Sequence, residues 1–95
     1  MMKTKITPTG VICFLEGRLD TIVSQNIEPE IDSLTTLGKT MIFDFSDVHY
    51  ISSSFLRICL KKMKELGSAN FYIQNIKPDI KKVFKIAGLE MLIKE

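Results

Sequence analysis

Met41-Ile42-Phe43-Asp44-Phe45-Ser46-Asp47-Val48-His49-Tyr50-Ile51-Ser52-Ser53-Ser54-Phe55-Leu56 is the stretch that sets the fold of this chain. Its first five residues carry too few polar side chains for a half-solvated strand, which predicts a central strand over 41–45 covered on both faces. Residues 46–51 read as a loop with Val48, Tyr50 and Ile51 turned inward. The triple serine Ser52-Ser53-Ser54 then precedes a helix expected over about 54–66. Leu56, Cys59, Leu60 and Met63 stand at helical spacing on its apolar face, and Gly67 is its stop. A hydroxyl at a helix N-terminus is a natural cap, because its oxygen accepts from backbone N–H groups left unpaired in the first turn. The same place suits a regulatory phosphate, since the helix dipole and free N–H groups favour negative charge. Capping and phosphoregulation are both open for this run.

Upstream, residues 3–7 alternate in polarity and meet Pro8-Thr9-Gly10, a turn signal; Val11-Ile12-Cys13-Phe14-Leu15 is a short continuous apolar run. Together they predict an opening hairpin whose second strand is the more buried. Asp20 or Thr21 is placed to begin the cap of the next helix. That helix has apolar residues at Ile27, Ile31, Leu34 and Leu37, with Ile22 and Val23 tucking its entry segment onto the core. Proline is damaging inside a helix, so Pro29 predicts either a start near Asn26 or a kink at Pro29. Downstream, 69–74 reads as a strand with Phe71-Tyr72-Ile73 as its core. Pro78 begins a helix carrying Val83, Phe84, Ala87 and Leu89, Gly88 ends it, and Met91-Leu92-Ile93 adds a short last strand. The order β-β-α-β-α-β-α-(β) implies right-handed crossovers. It predicts an α/β fold, a mostly parallel sheet with an N-terminal antiparallel hairpin and helices shielding it. No repeat or linker divides the chain, so 1–95 reads as a single domain.

Ninety-five residues with 45% apolar content allow one buried core and little room for an elaborate active site. A net charge of +2 is too small to argue for nucleic acid or an anionic membrane. Lys61, Lys62, Lys64, Lys77, Lys81, Lys82 and Lys85 read as solvated faces, with a weak electrostatic docking surface as the alternative. No run approaches the roughly 20 apolar residues needed to cross a bilayer, and no signal-peptide core stands near the N-terminus. The expectation is a cytoplasmic chain with no direct membrane insertion. Cys13 and Cys59 lie in apolar patterns without a CxxC spacing and are expected as buried free thiols, not metal ligands. The single histidine, His49, would have to form a triad with Ser54 and Asp47 inside one short loop, and no GxSxG elbow is present. The glycines are scattered one per turn and cradle no phosphate. The chain is therefore expected to be no enzyme and to carry no cofactor. Asp20, Asp44 and Asp47 are expected to structure loops by fastening backbone N–H groups, although ligands of open α/β sheets also bind near such strand ends.

Asp44-Phe45-Ser46-Asp47-Val48-His49-Tyr50-Ile51-Ser52-Ser53-Ser54-Phe55-Leu56 resembles the signature of the STAS domain family, which is close to D-L-S-x-V-x-x-I-D-S-S-G-L. Leu15-Glu16-Gly17-Arg18-Leu19-Asp20-Thr21 is similar to the family's L-x-G-x-L-D-x segment. Pro78-Asp79-Ile80-Lys81-Lys82-Val83-Phe84-Lys85-Ile86-Ala87-Gly88-Leu89 is similar to its P-x-V-x-x-x-F-x-x-x-G-L segment. These segments stand in the family's order and cover nearly the whole chain. The family includes bacterial anti-sigma factor antagonists. The resemblance implies a binding module in a partner-switching pathway that controls transcription. It makes Ser54 the phosphoacceptor, with Ser53 the second choice. Its partner would be an anti-sigma factor that is also a serine kinase of histidine-kinase-like ATPase fold. With Phe55 and Ile58 lying away from the centre of the Leu56–Leu60–Met63 stripe, Ser53, Phe55, Arg57, Ile58 and Lys61 are the expected partner-binding surface, with packing of Phe55 and Ile58 against the neighbouring helix as the alternative. Ser52 replaces the family's acidic residue and Phe55 its glycine, and Phe55 is expected to obstruct or reshape a kinase contact. Those departures favour an alternative within the family, a non-phosphorylated adaptor subunit of a membrane lipid-transport complex that binds a transporter ATPase subunit.

Overall fold

The turn at Pro8-Thr9 brings β1 (Lys3–Thr7) back along β2 (Gly10–Leu19) as an antiparallel hairpin. The Gly10 N–H donates to the Thr7 hydroxyl at 3.0 Å and closes the turn. The chain is seen in a computed structural model that describes residues 2–36 and 38–94. After the hairpin come α1 (Thr21–Leu34), β3 (Thr40–Ile51), α2 (Ser53–Leu66), β4 (Phe71–Gln74), α3 (Pro78–Ile86) and a 3-10 turn at Glu90–Leu92. β2, β3 and β4 are parallel, and the strands lie in the order β1-β2-β3-β4. Gly10 begins the β2–β3 ladder because nothing larger fits there: a Cβ would lie 1.7 Å from the carbonyl oxygen of Thr40.

That strand order has a consequence for the layers. Both parallel crossovers step in the same direction across the sheet, so their shared right-handedness places α1 and α2 on the same face. α3 joins them, with Phe84 against Phe45. Phe43 and Phe45, two residues apart on β3, both point into this layer and both meet Phe55 of α2, at ring-centroid distances of 5.7 and 6.0 Å. Phe71 of β4 meets Phe43 edge-on at 4.9 Å. All five rings are fully buried. Aromatic pairs of this kind add about 0.5–1.5 kcal/mol each beyond the area they bury.

The expectation that the 41–45 strand is covered on both faces is therefore corrected. Helices cover one face. On the other, in-register neighbours Ile12, Ile42 and Tyr72 are half-buried and Phe14 is exposed. Asp44 is buried on that open face by its own hydrogen-bond partners.

The expected loop at 46–51 is instead the second half of β3. It stays paired with β2 as far as Leu19↔Ile51, through two register shifts at which β3 carries an extra residue. Gly17, beside the second shift, has φ +75, a conformation that side chains disfavour. The bulges break the two-residue alternation, which is why this half lacks a strand pattern. Val48 and Ile51 are buried as expected, but Tyr50 is partly exposed beneath the Arg18 guanidinium, 4.3 Å from the ring centre.

α1 begins at Thr21, five residues before Asn26. Asp20 caps it by accepting from the Val23 N–H at 2.9 Å. Pro29 lies inside this helix on its exposed side. Gln25, whose carbonyl loses its helical donor there, is exposed as well and can bond to water. Ile22 does not tuck inward; it is 69% exposed, whereas Ser24, Ile27 and Ile31 form the buried stripe. Leu37 lies outside the described residues. Ala87 is exposed, and Ile80 with Phe84 anchors α3 instead. The expected last strand is the 3-10 turn followed by a single parallel bridge of Ile93 to Ile73.

Lys62, expected on a solvated face, is 1% exposed. Its ammonium donates to Asp32 of α1 at 2.6 Å and to Glu65 at 2.7 Å. The Lys62 hydrogen bond and charge hold the Asp32 carboxyl below its ordinary range. Lys62→Ala deletes a buried aliphatic stem and both ion pairs, and is expected to cost about 2–4 kcal/mol in chemical denaturation. Lys62→Met keeps the stem and should cost clearly less.

Candidate functional site

The serine run divides its labour. Ser52, in extended conformation, is the N-cap of α2; its hydroxyl accepts from the Phe55 N–H at 3.3 Å. Its own N–H donates to the Leu19 carbonyl at 2.9 Å, which pins the start of α2 to the end of β2. Ser52 is buried. Ser53 is exposed and Ser54 half-buried on the first turn, and neither takes part in the cap. The Ser54 hydroxyl donates to the hydroxyl of Thr21, the first residue of α1, at 3.3 Å, and accepts from Arg57 Nη2 at 3.3 Å. Two helix N-termini, those of α1 and α2, thus stand side by side.

The rotation of α2 decides what surrounds them. Phe55, Ile58, Cys59, Lys62 and Leu66 are buried, not a stripe centred on Leu56, Leu60 and Met63. The expected placement of Phe55 and Ile58 on a partner surface is corrected. Phe55 is 0% exposed between Phe43 and Phe45, and Ile58 is 3% exposed. For the same reason Phe55 obstructs nothing at the surface. Arg57 and Lys61 do face outward beside Ser53 and Ser54. Lys61 bridges to Glu28 at 3.6 Å and Asp32 at 3.5 Å. Leu56, Leu60 and Met63 are half-buried and, with Leu89 and Met91, line an apolar groove of about 400 Å³ between α2 and the segment after α3.

Sequence reasoning missed Thr21 and Ser24 of α1 as neighbours of Ser54, and the outward turn of Ile22. A signal existed for Ile22: it is out of phase with the Ile27–Ile31 stripe, so a helix beginning at Thr21 must turn it outward. Nothing in the sequence pairs Thr21 with Ser54, 33 positions away.

Of the three aspartates, Asp20 caps α1. Asp44 accepts from the Ser46 N–H and hydroxyl at 3.0 and 2.7 Å, and from Gln74 and Asn75 at 2.9 and 2.8 Å. Burial opposes its charge, but these bonds outweigh it and hold the carboxyl below the ordinary carboxylate range. Asp44 thereby ties β3 to the chain leaving β4, and Lys77 adds a bond to the Ser46 carbonyl. Asp47 is exposed in β3 and fastens no backbone N–H among the described residues, a correction that follows from the strand replacing the expected loop. Ser54 is not bonded to His49 or Asp47, so no triad forms. Cys13 and Cys59 are buried free thiols. Burial, with the Glu30 charge, pushes Cys13 up to about 12, and burial also raises Cys59. No helix among the described residues is long and apolar enough to cross a membrane.

A STAS domain model matches residues 1–94. The fold is similar to that of the anti-sigma factor antagonist SpoIIAA in its unphosphorylated form, with TM-score 0.78 and 22% identity over 99% of this chain and 86% of that one. It is also similar to the Bacillus cell fate determinant SpoIIAA in the phosphorylated form, with TM-score 0.71 and 24% identity over 99% of this chain and 89% of that one. Among curated proteins, none matches.

Phe55→Gly, which restores the motif's glycine, removes the ring that joins β3 to α2 and should cost at least about 3–5 kcal/mol, measured by urea denaturation. Asp44 contributes stability that is present above the ordinary carboxylate pKa of about 3.9 and lost as pH falls through its lower folded value. The stability gap between wild type and Asp44→Asn should therefore narrow below about pH 4.

Proposed function

Because the chain belongs to the STAS domain family, we propose that it is an antagonist-type binding module of a partner-switching circuit, switched off by phosphorylation of Ser54. The observation that carries this reading is the separation of roles in the serine run. Ser52 alone satisfies the helix cap, so the Ser54 hydroxyl can be modified without uncapping α2. Ser53, Ser54, Arg57 and Lys61, joined by exposed Ile22 on α1, form the docking surface for an anti-sigma factor that is also the serine kinase. That kinase has the histidine-kinase-like ATPase fold and works with this chain in the cytoplasm. It transfers the terminal phosphoryl group of ATP to Ser54 Oγ, so that the bond to the β-phosphate breaks, ADP leaves and the hydroxyl proton passes to a base of the kinase; the chain is a substrate, not an enzyme. The phosphate brings a charge of about −1.5 to −2 and three strongly hydrated oxygens to the centre of a docked surface, and the complex dissociates. The fold shared with a protein described as an anti-sigma factor antagonist supports this reading.

A second reading, a phosphate-independent adaptor beside a transporter ATPase subunit, is favoured by one observation. The apolar groove of Leu56, Leu60, Met63, Leu89 and Met91 offers a contact surface on the side of α2 away from α1.

Affinity capture from native lysate with wild type, Ser54→Ala and Ser54→Asp separates the two. The switch predicts that wild type and Ser54→Ala retain a kinase-like ATPase, while Ser54→Asp loses it by about tenfold or more. Transporter subunits on all three would establish the adaptor, and equal kinase binding by all three would overturn the switch.

A further inference from the structure

The cleft between the N-terminal halves of α1 and α2 has features that neither packing nor capping explains. Ser24 is 1% exposed, and its hydroxyl is the buried side-chain polar atom without a hydrogen-bond partner among the described residues. A buried hydroxyl left unpaired is costly, which makes a missing acceptor or donor the natural question. Ser24 lines a cleft of about 320 Å³ together with Gln25, Glu28, Ser54, Arg57 and Lys61. The volume far exceeds the share of a single water molecule.

The charges of the lining are unbalanced. Arg57 and Lys61 share the lining with one carboxylate, that of Glu28; the second carboxylate that Lys61 reaches, Asp32, lies outside the lining and is held more closely by Lys62, at 2.6 Å. The Arg57 guanidinium gives one N–H to Ser54 Oγ, and its remaining N–H groups have no protein acceptor among the described residues. Lys61 reaches Glu28 and Asp32 only at 3.6 and 3.5 Å, with its side chain about half exposed, so it can turn to a stronger anion at little cost. The Asp20 carboxylate at the head of α1 is turned back onto the Val23 N–H. The N-termini of two 14-residue helices add their positive dipole ends.

We propose that this cleft is a phosphate-monoester site in which Arg57, Lys61 and the Ser24 hydroxyl hold the phosphate oxygens. The monoester has two possible sources, the phosphoryl group on Ser54, bound in cis, or a diffusible phosphate compound. The cis source rests on the proposed phosphorylation of Ser54, and it gives that event a second consequence. The phosphate both adds charge and withdraws Arg57 from the partner surface into an intramolecular fork.

The test uses full-length protein with phosphoserine installed at position 54 during translation, so it does not depend on any kinase. Phosphorus NMR follows the second pKa of the phosphate, ordinarily about 6. In the wild-type background it should lie lower than in Arg57→Gln by roughly half a pH unit or more. Lys64→Gln removes an equal charge elsewhere on α2 and should leave it in place. In the second arm, unmodified protein is titrated with inorganic phosphate and with free O-phosphoserine while the amide signals of Ser24, Gln25 and Arg57 are followed. A pKa that depends on Arg57 with no saturable response to free phosphate establishes the cis source. A saturable response that Arg57→Gln abolishes establishes a diffusible ligand. Equal pKa values in the wild-type, Arg57→Gln and Lys64→Gln backgrounds, with no saturable response, overturn the site. That outcome leaves the capture result with Ser54→Asp standing on its own, so failure of the cleft and failure of the switch are distinguishable.

Discussion

The insertion of the Phe55 ring between Phe43 and Phe45 is the contact on which the functional surface depends. A helix packed on a sheet can rotate about its own axis, and the largest side chain with a fitted socket sets that rotation. With Phe55 inward, the residues three, four, seven and eleven positions later follow it: Ile58, Cys59, Lys62 and Leu66. Ser54 is carried to the α1 side, Arg57 and Lys61 outward, and Leu56, Leu60 and Met63 toward the chain after α3. One ring therefore fixes which side chains a partner meets.

Topology supplies the second constraint. Two right-handed crossovers that advance in one direction stack their helices on one face. Both helices then start at the same end of the sheet, where parallel strands deliver their chains. The Ser52 N–H to Leu19 carbonyl bond makes this adjacency tight, and the Thr21–Ser54 hydroxyl contact is its product. The cost of the arrangement is an open second face, where the row Ile12, Ile42 and Tyr72 is only half-buried and Phe14 is exposed.

Buried charge is confined to places where it is well bonded. Lys62 carries a carboxylate from each of α1 and α2, and Asp44 accepts four hydrogen bonds. Each would be costly alone, since an ion leaves water at a penalty that only close partners offset. Together they lock the C-terminal halves of α1 and α2 to each other and β3 to the exit of β4. Ser24, whose hydroxyl lacks such a partner, is the exception, and it lies at the cleft beside Ser54.

Local chemistry determined much of this protein. The hairpin, a candidate cap at Asp20, the helix start at Pro78, the stop at Gly67, the parallel α/β order and the three family segments follow from short-range pattern, because caps, turns and periodicity act over a few residues. The second half of β3 was not legible, since its bulges erase the alternation that marks a strand, and Pro29 obscured the start of α1 because the solvent exposure that makes it tolerable is a tertiary property. The candidate site was legible in part. The motif singles out Ser54, and Arg57 and Lys61 follow it on the same helix face, while Phe55 and Ile58, expected at the surface, are buried. The apolar residues of α2 occupy more than half its circumference, so the sequence admits more than one buried stripe. Only the socket formed by Phe43 and Phe45 chooses between them, and only the stacking of α1 beside α2 brings Thr21, Ser24 and Ser54 to one cleft across some thirty positions of chain.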